Sequence, residues 1–229
     1  MSTEMPPAGR DPVAAAKLQI LATEHWSLLA TRSLTYTESL GRVNMFLAIL
    51  SGAVIALALV AQADHFGPTF ISVAIFMLTV VVFVGVATVS RLMALNRDDY
   101  RWVVGMNRLR NAYLELHPEL EPHFVTSQYD DFRGALRTMG IETSIGKAGL
   151  GSAFHGMQTL PGMLSVIVAA VVGAIGALVA FASGLPLYGV LIAGAATFVV
   201  GAVLMGIWGS RNVRRFSPSL EPRFPTPKT

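Results

Sequence analysis

Two short stretches of the sequence carry residue types that could bind a ligand. The first, HPELEPH, places His117, Glu119, Glu121 and His123 within seven residues. Imidazole and carboxylate groups are common metal ligands, but two histidines share one helix face only when they lie four residues apart on an unbroken helix. Two prolines interrupt this stretch, so we interpret it as a helix stop with solvated charges and expect no metal site.

The second stretch, GKAGLGS at residues 146–152, contains three glycines and a lysine. A loop that cradles phosphate follows a strand and has the order G-x-x-x-x-G-K-[S/T]. The stretch has neither property, and glycine clusters of this kind are typical of connectors. We therefore interpret it as a flexible linker.

Catalytic groups are scattered along the chain. The sequence has no cysteine and no Gly-x-Ser-x-Gly elbow. No acid, base and nucleophile converge in the sequence, so we expect no cofactor and no enzymatic activity. An enzyme that acts on lipid is the weakest alternative, and it would depend on some of the five histidines, which are His25, His65, His117, His123 and His155.

The composition indicates a membrane protein. Of the 229 residues, 53% are hydrophobic and only 14% are charged, against about 25% charged residues in soluble proteins. No Asp, Glu, Lys or Arg occurs between Arg42 and Asp64, between Asp64 and Arg91, or between Lys147 and Arg211. A bilayer takes about 20 apolar residues to cross, so the last gap is long enough for two spans. The Gly and Pro of SGLPL, residues 183–187, would form the turn between them.

We therefore predict an all-α polytopic membrane protein with four transmembrane helices, at residues 43–63, 69–90, 162–182 and 187–208. Lys and Arg near the ends of spans normally stay on the cytoplasmic side. Arg42, Arg91 and Arg211 flank the spans on one side, whereas AQADHFG and SGLPL contain neither residue. This pattern predicts a multi-pass membrane protein with both termini in the cytoplasm. We expect the membrane to be a bacterial inner membrane. No cleavable signal peptide is expected at the amino terminus.

The first two spans are expected to continue into the cytoplasm as long helices. Asp11 and Pro12 form a helix start signal, and neither proline nor glycine follows until Gly41. After the second span, no proline occurs before Pro118. Residues 12–118 are therefore predicted to form one long helical hairpin, preceded by a disordered segment at residues 1–11.

The rest of the chain divides into three predicted regions. Residues 119–161 are expected to form a cytoplasmic helix, capped by Thr126 or Ser127, and a glycine-rich loop. Residues 162–209 form the second transmembrane hairpin. Residues 210–229 form a basic, proline-rich tail that we expect to be extended or disordered.

Small residues at four-residue spacing allow membrane helices to approach closely. Such residues recur in the first, third and fourth spans, in more places than one helix pair would use. We therefore expect part of them to contact another subunit of a homo-oligomer. The members of these faces are Ala48, Gly52 and Ala56; Ala169, Gly173, Gly176, Ala180 and Gly184; and Gly189, Ala193, Thr197 and Gly201.

No ionisable residue lies in the middle of any predicted span, whereas ion-coupled transporters usually place one there. The composition therefore argues against coupled transport. The polar groups in the first two spans are hydroxyls, and Ser51, Ser72 and Thr79 are the candidates to line an aqueous path or to bond to a neighbouring helix.

Charge is concentrated in the tail. Arg211, Arg214 and Arg215 follow the fourth span directly, and basic residues at this position contact anionic lipid headgroups, at about 1 kcal/mol each. Nucleic-acid binding would need an extended basic surface. Between residues 97 and 147, seven basic residues are outnumbered by eight acidic ones, so we expect no nucleic-acid partner.

The layout of the first half of the chain resembles that of a known family. In YTESLGRVNMFLAILSGAVIALALVA and RDDYRWVVGMNRLRNAYLELHPEL, a helix enters a two-span hairpin and another leaves it. This layout is similar to that of the small two-span modules called SLATT, which are proposed to be pore-forming effectors in bacterial defence. The resemblance implies a pore and carries no functional residue to this chain. RNAYLELHPELEPHF also resembles segments of actinobacterial membrane proteins, and that likeness implies no activity.

Our leading hypothesis is a homo-oligomer that forms or gates a pore or channel in the lipid bilayer. The alternative is a non-conducting scaffold or adaptor that docks a cytoplasmic protein partner through its helical extensions. Deletion of residues 14–38 would abolish that docking.

Overall fold

The computed structural model of the chain describes residues 12–140, 159–215 and 221–227. These residues form helices and connecting segments, without a strand among them. The predicted all-α class is confirmed. The predictions for residues 1–11 and 146–152 fall outside the described residues. The elements in chain order are α1 (Pro12–Asp64), α2 (Pro68–Leu116), a 3₁₀ helix (Pro118–His123), α3 (Phe132–Thr138), α4 (Leu160–Ala182) and α5 (Leu187–Arg215).

Four of these helices, α1, α2, α4 and α5, are long and apolar enough to cross a membrane. Each contains one of the spans predicted from the gaps between charges. The chain is therefore a multi-pass membrane protein, as the sequence predicted. α1 has 53 residues and α2 has 49, which confirms that the first two spans continue as long helices.

A tight turn joins α1 to α2. Asp64 stabilises it at both ends, because its carbonyl oxygen accepts a hydrogen bond from the Gly67 N–H at 2.8 Å and its carboxylate accepts one from the Phe70 N–H at 2.7 Å. His65 and Phe66 have φ angles of 47° and 61°, a left-handed conformation that L-residues seldom adopt. The carboxylate of Asp64 thus serves one of the orphan N–H groups at the start of α2, that of Phe70.

The chain divides into two compact units. Unit 1 consists of Met1–Leu34, Asp98–Thr143 and Leu220–Thr229, and unit 2 of Thr35–Arg97 and Ser144–Ser219. Each of the two long helices contributes residues to both units. Unit 2 contains the apolar spans, and unit 1 contains most of the charged residues.

Unit 2 has an apolar core formed by α1, α2 and α4. Phe46 and Leu164 are fully buried, and Val168, Val81 and Leu92 are almost so. The backbone of Gly85 makes this packing close, since a Cβ atom there would lie 2.5 Å from Val168 Cγ2. In lipid, contact of this kind is what holds helices together.

Unit 1 is built on the other halves of α1 and α2. Val103 and Val104 lie in its interior, and Leu28 packs so closely on Gly105 that a Cβ atom there would lie 3.0 Å from Leu28 Cδ1. Asp131 is the N-cap of the short helix α3, and its carboxylate accepts a hydrogen bond from the Gly134 N–H at 2.8 Å. The predicted cap at Thr126 or Ser127 is therefore wrong. Asp131 is the cap instead, because it directly precedes the first helical turn and its carboxylate reaches an N–H group of that turn.

Candidate functional site

The small residues of the third and fourth spans pack against each other within the chain. A Cβ atom on Gly173 would lie 3.0 Å from the Gly194 carbonyl oxygen, and one on Gly176 would overlap the side chain of Thr197. Ala169 and Ala180 are buried on the same face of α4. This face therefore contributes to the fold of the subunit itself.

Residues on α5 complete this hairpin. Gly201 lies against Ala169, with 3.5 Å between its hypothetical Cβ atom and Ala169 Cα. The Thr197 hydroxyl donates to the carbonyl oxygens of Ala193 at 2.8 Å and Gly194 at 3.1 Å. Gly189 is half-buried near the turn. Gly184 is separate from the face, because it is exposed in the turn with φ of 74°.

The small-residue stripe of the first span lies elsewhere. Ala48 and Gly52 are exposed and Ala56 is half-buried. A Cβ atom on Gly52 would have no other atom within 4 Å. The side of α1 that packs in the core instead carries Phe46 and Ala53. The stripe of Ala48 and Gly52 thus remains outside the packing of the subunit.

The candidate pore-lining hydroxyls are also on exposed faces. Ser51 is exposed on α1. On α2, the Ser72 hydroxyl donates to the Pro68 carbonyl oxygen at 3.0 Å, and the Thr79 hydroxyl donates to that of Ile75 at 2.7 Å. Each of these two α2 hydroxyls thus donates its hydrogen bond within its own helix. Its oxygen can still accept a hydrogen bond from water or another group.

Large aromatic side chains share this face of α2. Phe76 is 71% exposed and Phe83 is 74% exposed. They lie seven residues apart, as do Ser72 and Thr79, so all four recur at the same helical period. The exposed face of α2 therefore alternates aromatic rings with hydroxyl groups.

Ionic and polar contacts lie near the ends of the predicted spans in unit 2. The Glu38 carboxylate accepts hydrogen bonds from Arg91 Nε at 3.0 Å and from Arg42 Nε at 2.9 Å. These hydrogen bonds, that of Arg91 first, lower the pKa of Glu38. Arg97 Nη1 also donates to Asn212 Oδ1 at 2.9 Å. The Glu38–Arg91 and Arg97–Asn212 pairs connect residues that are 53 and 115 positions apart in sequence, so the sequence analysis did not identify them.

The predicted lipid-binding arginines lie at the end of α5. Arg211 is exposed. Arg214 and Arg215 belong to the last helical turn, and their side chains fall outside the described residues.

A cluster of basic groups lies between α1 and α2 in unit 1. Arg32 Nε is 2.6 Å from Asp99 Oδ1, and Arg110 Nη1 donates to Asn107 Oδ1 at 2.8 Å. Burial lowers the pKa of Arg110, and the charge of Arg32 lowers it further. Burial, followed by the charge of Arg110, lowers the pKa of His25 as well. The cluster thus favours neutral His25.

The most enclosed ionic group of unit 1 is Asp130, whose side chain is fully buried. It accepts hydrogen bonds from Arg108 Nε at 2.7 Å, from the Arg223 N–H at 2.9 Å and from the Phe224 N–H at 2.8 Å. Burial by itself would raise the pKa of Asp130, but these hydrogen bonds outweigh it and lower the pKa. Asp130 thus holds part of the C-terminal segment.

Asp131 binds the same segment. Its carboxylate accepts hydrogen bonds from the Thr226 N–H at 3.1 Å and from the Thr226 hydroxyl at 2.9 Å. Arg108 Nη2 also donates to the Glu221 carbonyl oxygen at 3.0 Å. Residues 221–227 form neither helix nor strand, bend at Arg223 and Phe224, and are bound to unit 1. The sequence analysis missed this site, although the adjacent pair Asp130 and Asp131 is a cluster of acceptors that could have prompted the search.

The HPELEPH stretch forms the 3₁₀ helix after α2. His117 Nδ1 lies 2.9 Å from Glu119 Oε1, and Glu121 and His123 are exposed. Within the described ranges, no group of three or more metal-ligating side chains is close enough to hold an ion. The helix stop predicted for this stretch coincides with the end of α2.

No family model, no curated protein and no solved structure matches this chain. The resemblance to SLATT modules therefore stays a prediction.

Proposed function

We propose that this chain assembles with copies of itself in a bacterial inner membrane and forms or gates a pore or channel between subunits. Both termini then lie in the cytoplasm, with unit 1 as the cytoplasmic part, and Arg211 near anionic headgroups. The observation that carries the proposal is the stripe of Ala48 and Gly52, the small-residue face that the packing of the subunit leaves exposed.

The contrast between two glycines on different helices supports this interface. Gly176 is needed inside the subunit, because any side chain there would meet Thr197. Gly52 has open space around it. Glycine weakens a helix by roughly 0.5–1 kcal/mol relative to alanine, so its presence at this position calls for a compensating purpose. Close approach of a second helix provides that purpose in a membrane.

The packing of unit 2 supports a path between subunits rather than within one. Phe46, Leu164 and Val168 fill the space between α1, α2 and α4. The Ser72 and Thr79 hydroxyls lie on the outer face of α2. In a ring of subunits, that face can border a central axis, where hydroxyl oxygens accept hydrogen bonds from water.

Native mass spectrometry of the full-length protein in nanodiscs tests the assembly. We expect a closed oligomer of several copies, and Gly52→Leu should shift it to smaller species because the larger side chain separates the helices. Gly206→Leu on α5 is the matched control, since Gly206 also has no atom within 4 Å but lies outside the stripe of Ala48 and Gly52. A monomeric wild-type protein would refute the proposal.

Ion flux from liposomes tests conduction. Thr79→Val removes the hydroxyl and keeps the shape of the side chain, so it should reduce flux without changing the subunit count. Thr88→Val is the control, because Thr88 is buried and donates to its own helix at the Val84 carbonyl oxygen. Absence of flux from the oligomer at all tested voltages and lipid compositions would favour the scaffold instead.

A second candidate function, docking of a cytoplasmic protein, is favoured by the N-terminal half of α1. Ile20, Trp26 and Leu34 are 69%, 71% and 70% exposed. Contiguous apolar patches on a surface outside the membrane mark protein interfaces, and tryptophan often dominates the affinity of such interfaces.

Purification of the full chain from its host tests docking. A scaffold should recover one stoichiometric partner, which Trp26→Glu abolishes and Lys17→Gln, an exposed control on α1, retains. Equal recovery with both variants would exclude this surface as the docking site.

A further inference from the structure

Residues 221–227 are held in unit 1 almost entirely through their main chain. The N–H groups of Arg223, Phe224 and Thr226 donate to the carboxylates of Asp130 and Asp131. In return, the Asp130 N–H donates to the Phe224 carbonyl oxygen at 3.1 Å.

Each of the two carboxylates also accepts a hydrogen bond from outside the segment. Arg108 fixes Asp130 through its Nε atom at 2.7 Å, and the Gly134 N–H at the start of α3 fixes Asp131 at 2.8 Å. A preorganised acceptor loses little entropy when it binds. Hydrogen bonds to charged acceptors are also stronger than those between neutral groups.

The bound segment presents few of its side chains to this site. Arg223 and Pro225 are exposed, and Phe224 is half-buried. The Thr226 hydroxyl adds one side-chain hydrogen bond, to Asp131 at 2.9 Å. The chain bends at Arg223 and Phe224, so the N–H groups of these two consecutive residues reach the same carboxylate.

We propose that Asp130 and Asp131 form a peptide-binding site whose ligand is the chain's own C-terminal segment, bound reversibly. The site recognises a peptide that bends at the positions of Arg223 and Phe224, with free N–H groups at both and a hydroxyl at that of Thr226. Opening of the segment leaves the site free. This inference is independent of whether the protein conducts.

The test uses full-length protein in nanodiscs and a fluorescent peptide with the sequence of residues 221–227, EPRFPTP. The double variant Arg223→Pro/Phe224→Pro removes the two N–H donors and should vacate the site. The matched control, Arg223→Ala/Phe224→Ala, removes the same side chains and keeps the donors. Elution volume and thermal unfolding establish that both variants are folded.

We expect the peptide to bind the proline variant at least about tenfold more tightly than the wild type or the alanine variant, in which the tail competes. Adding Asp130→Asn to the proline variant should weaken binding by about tenfold or more, because hydrogen bonds to an ionised acceptor are lost. Equal binding to the proline and alanine variants, or binding that Asp130→Asn does not change, would overturn the proposal.

Hydrogen exchange on the wild-type protein provides a second test that needs no variant. The amides of Arg223, Phe224 and Thr226 should be protected, and excess unlabelled EPRFPTP should speed their exchange by competing for the site. Exchange rates at these amides that stay constant at saturating peptide would refute reversible binding.

Discussion

The carboxylate of Asp130 accepts a hydrogen bond from the N–H of Phe224, which lies 94 residues later in the chain, at 2.8 Å. The side chain of Asp130 is fully buried. A buried carboxylate is stable only when it is paired and hydrogen-bonded, so the tail belongs to the structure of unit 1. This relationship and the packing of the helices lead to five predictions.

The first concerns the contribution of Asp130 to stability. Asp130→Asn removes the charge that pairs with Arg108 and weakens two hydrogen bonds from the tail, so it should lower the free energy of unfolding of unit 1 by about 2 kcal/mol. Asp98→Asn is the control, because the contact of Asp98 with Arg101 is exposed and such pairs contribute little. Denaturant unfolding in detergent measures both, and equal midpoints would contradict the prediction.

The same carboxylate makes stability depend on pH. The folded-state pKa of Asp130 is lowered from its ordinary value of 3.8. The unfolded chain therefore binds the proton more readily, and stability falls as pH decreases through that range. The difference in unfolding free energy between wild type and Asp130→Asn should be full near pH 7 and should shrink as pH falls below 3.8 toward the lowered pKa. A difference that stays constant down to that pKa would show that ionisation of Asp130 is not its cause.

The third prediction concerns the contact between α4 and α5. Gly176→Ala forces a methyl group into Thr197, and overpacking of this kind costs roughly 1–3 kcal/mol. Thr197→Gly removes the obstacle, so the double variant should recover part of the loss.

A double-mutant cycle measured by unfolding in mixed micelles gives the coupling between these two positions. Gly206→Ala, which meets no atom within 4 Å, is the control and should cause no loss of stability, because alanine favours a helix by roughly 0.5–1 kcal/mol over glycine. Additive effects at Gly176 and Thr197 would mean that the helices do not meet as described.

His25 provides the fourth prediction. Burial and the charge of Arg110 lower its pKa from 6.5, so protonation opposes folding, and stability falls as pH decreases from 6.5 through the lowered pKa. Arg110→Gln should raise the pKa of His25 toward 6.5. The imidazole NMR signal of His25, identified by its loss in His25→Gln, measures the change. Arg133→Gln, an exposed change on α3, should have no such effect, and an unchanged pKa in Arg110→Gln would refute the interaction.

The fifth concerns Trp102, whose buried Nε1 has no hydrogen-bond partner among the described residues. A buried donor without a partner costs about 1–3 kcal/mol. Trp102→Phe removes the N–H and keeps an aromatic ring, so it should leave the thermal unfolding temperature unchanged or raise it. Trp26→Phe is the exposed control. A marked loss of stability in Trp102→Phe would indicate that a water molecule or ligand serves the Nε1 atom.

Local properties of the sequence were enough to predict the helices. The gaps between charged residues located all four spans, because an apolar run of sufficient length is helical in a membrane whatever its neighbours. The start of α1 at Pro12 and the turn around Gly184 were also predicted from local properties, namely the preference of proline for the first turn of a helix and of glycine for its end. The identity of the α3 cap was wrong, because several residues before that helix could accept the same hydrogen bond.

The use of each small-residue face was decided only by the tertiary structure. Gly176 and Gly52 lie in similar apolar segments with small residues at similar spacing, yet one meets Thr197 and the other meets open space. The difference depends on which helices pack together and how each is rotated. Helical periodicity defines the faces but does not select their partners.

The sequence by itself determined a four-span helical membrane protein, because hydropathy, charge and helix signals act over a few residues. Only the tertiary structure brought Asp130 to Phe224, and Arg32 to Asp99 across 67 residues, with Arg32 Nε 2.6 Å from Asp99 Oδ1. These contacts need a chain that has already folded, since a hydrogen bond or ion pair acts over a few ångströms and its partners are distant in sequence. The site that binds the tail therefore exists only in the folded unit.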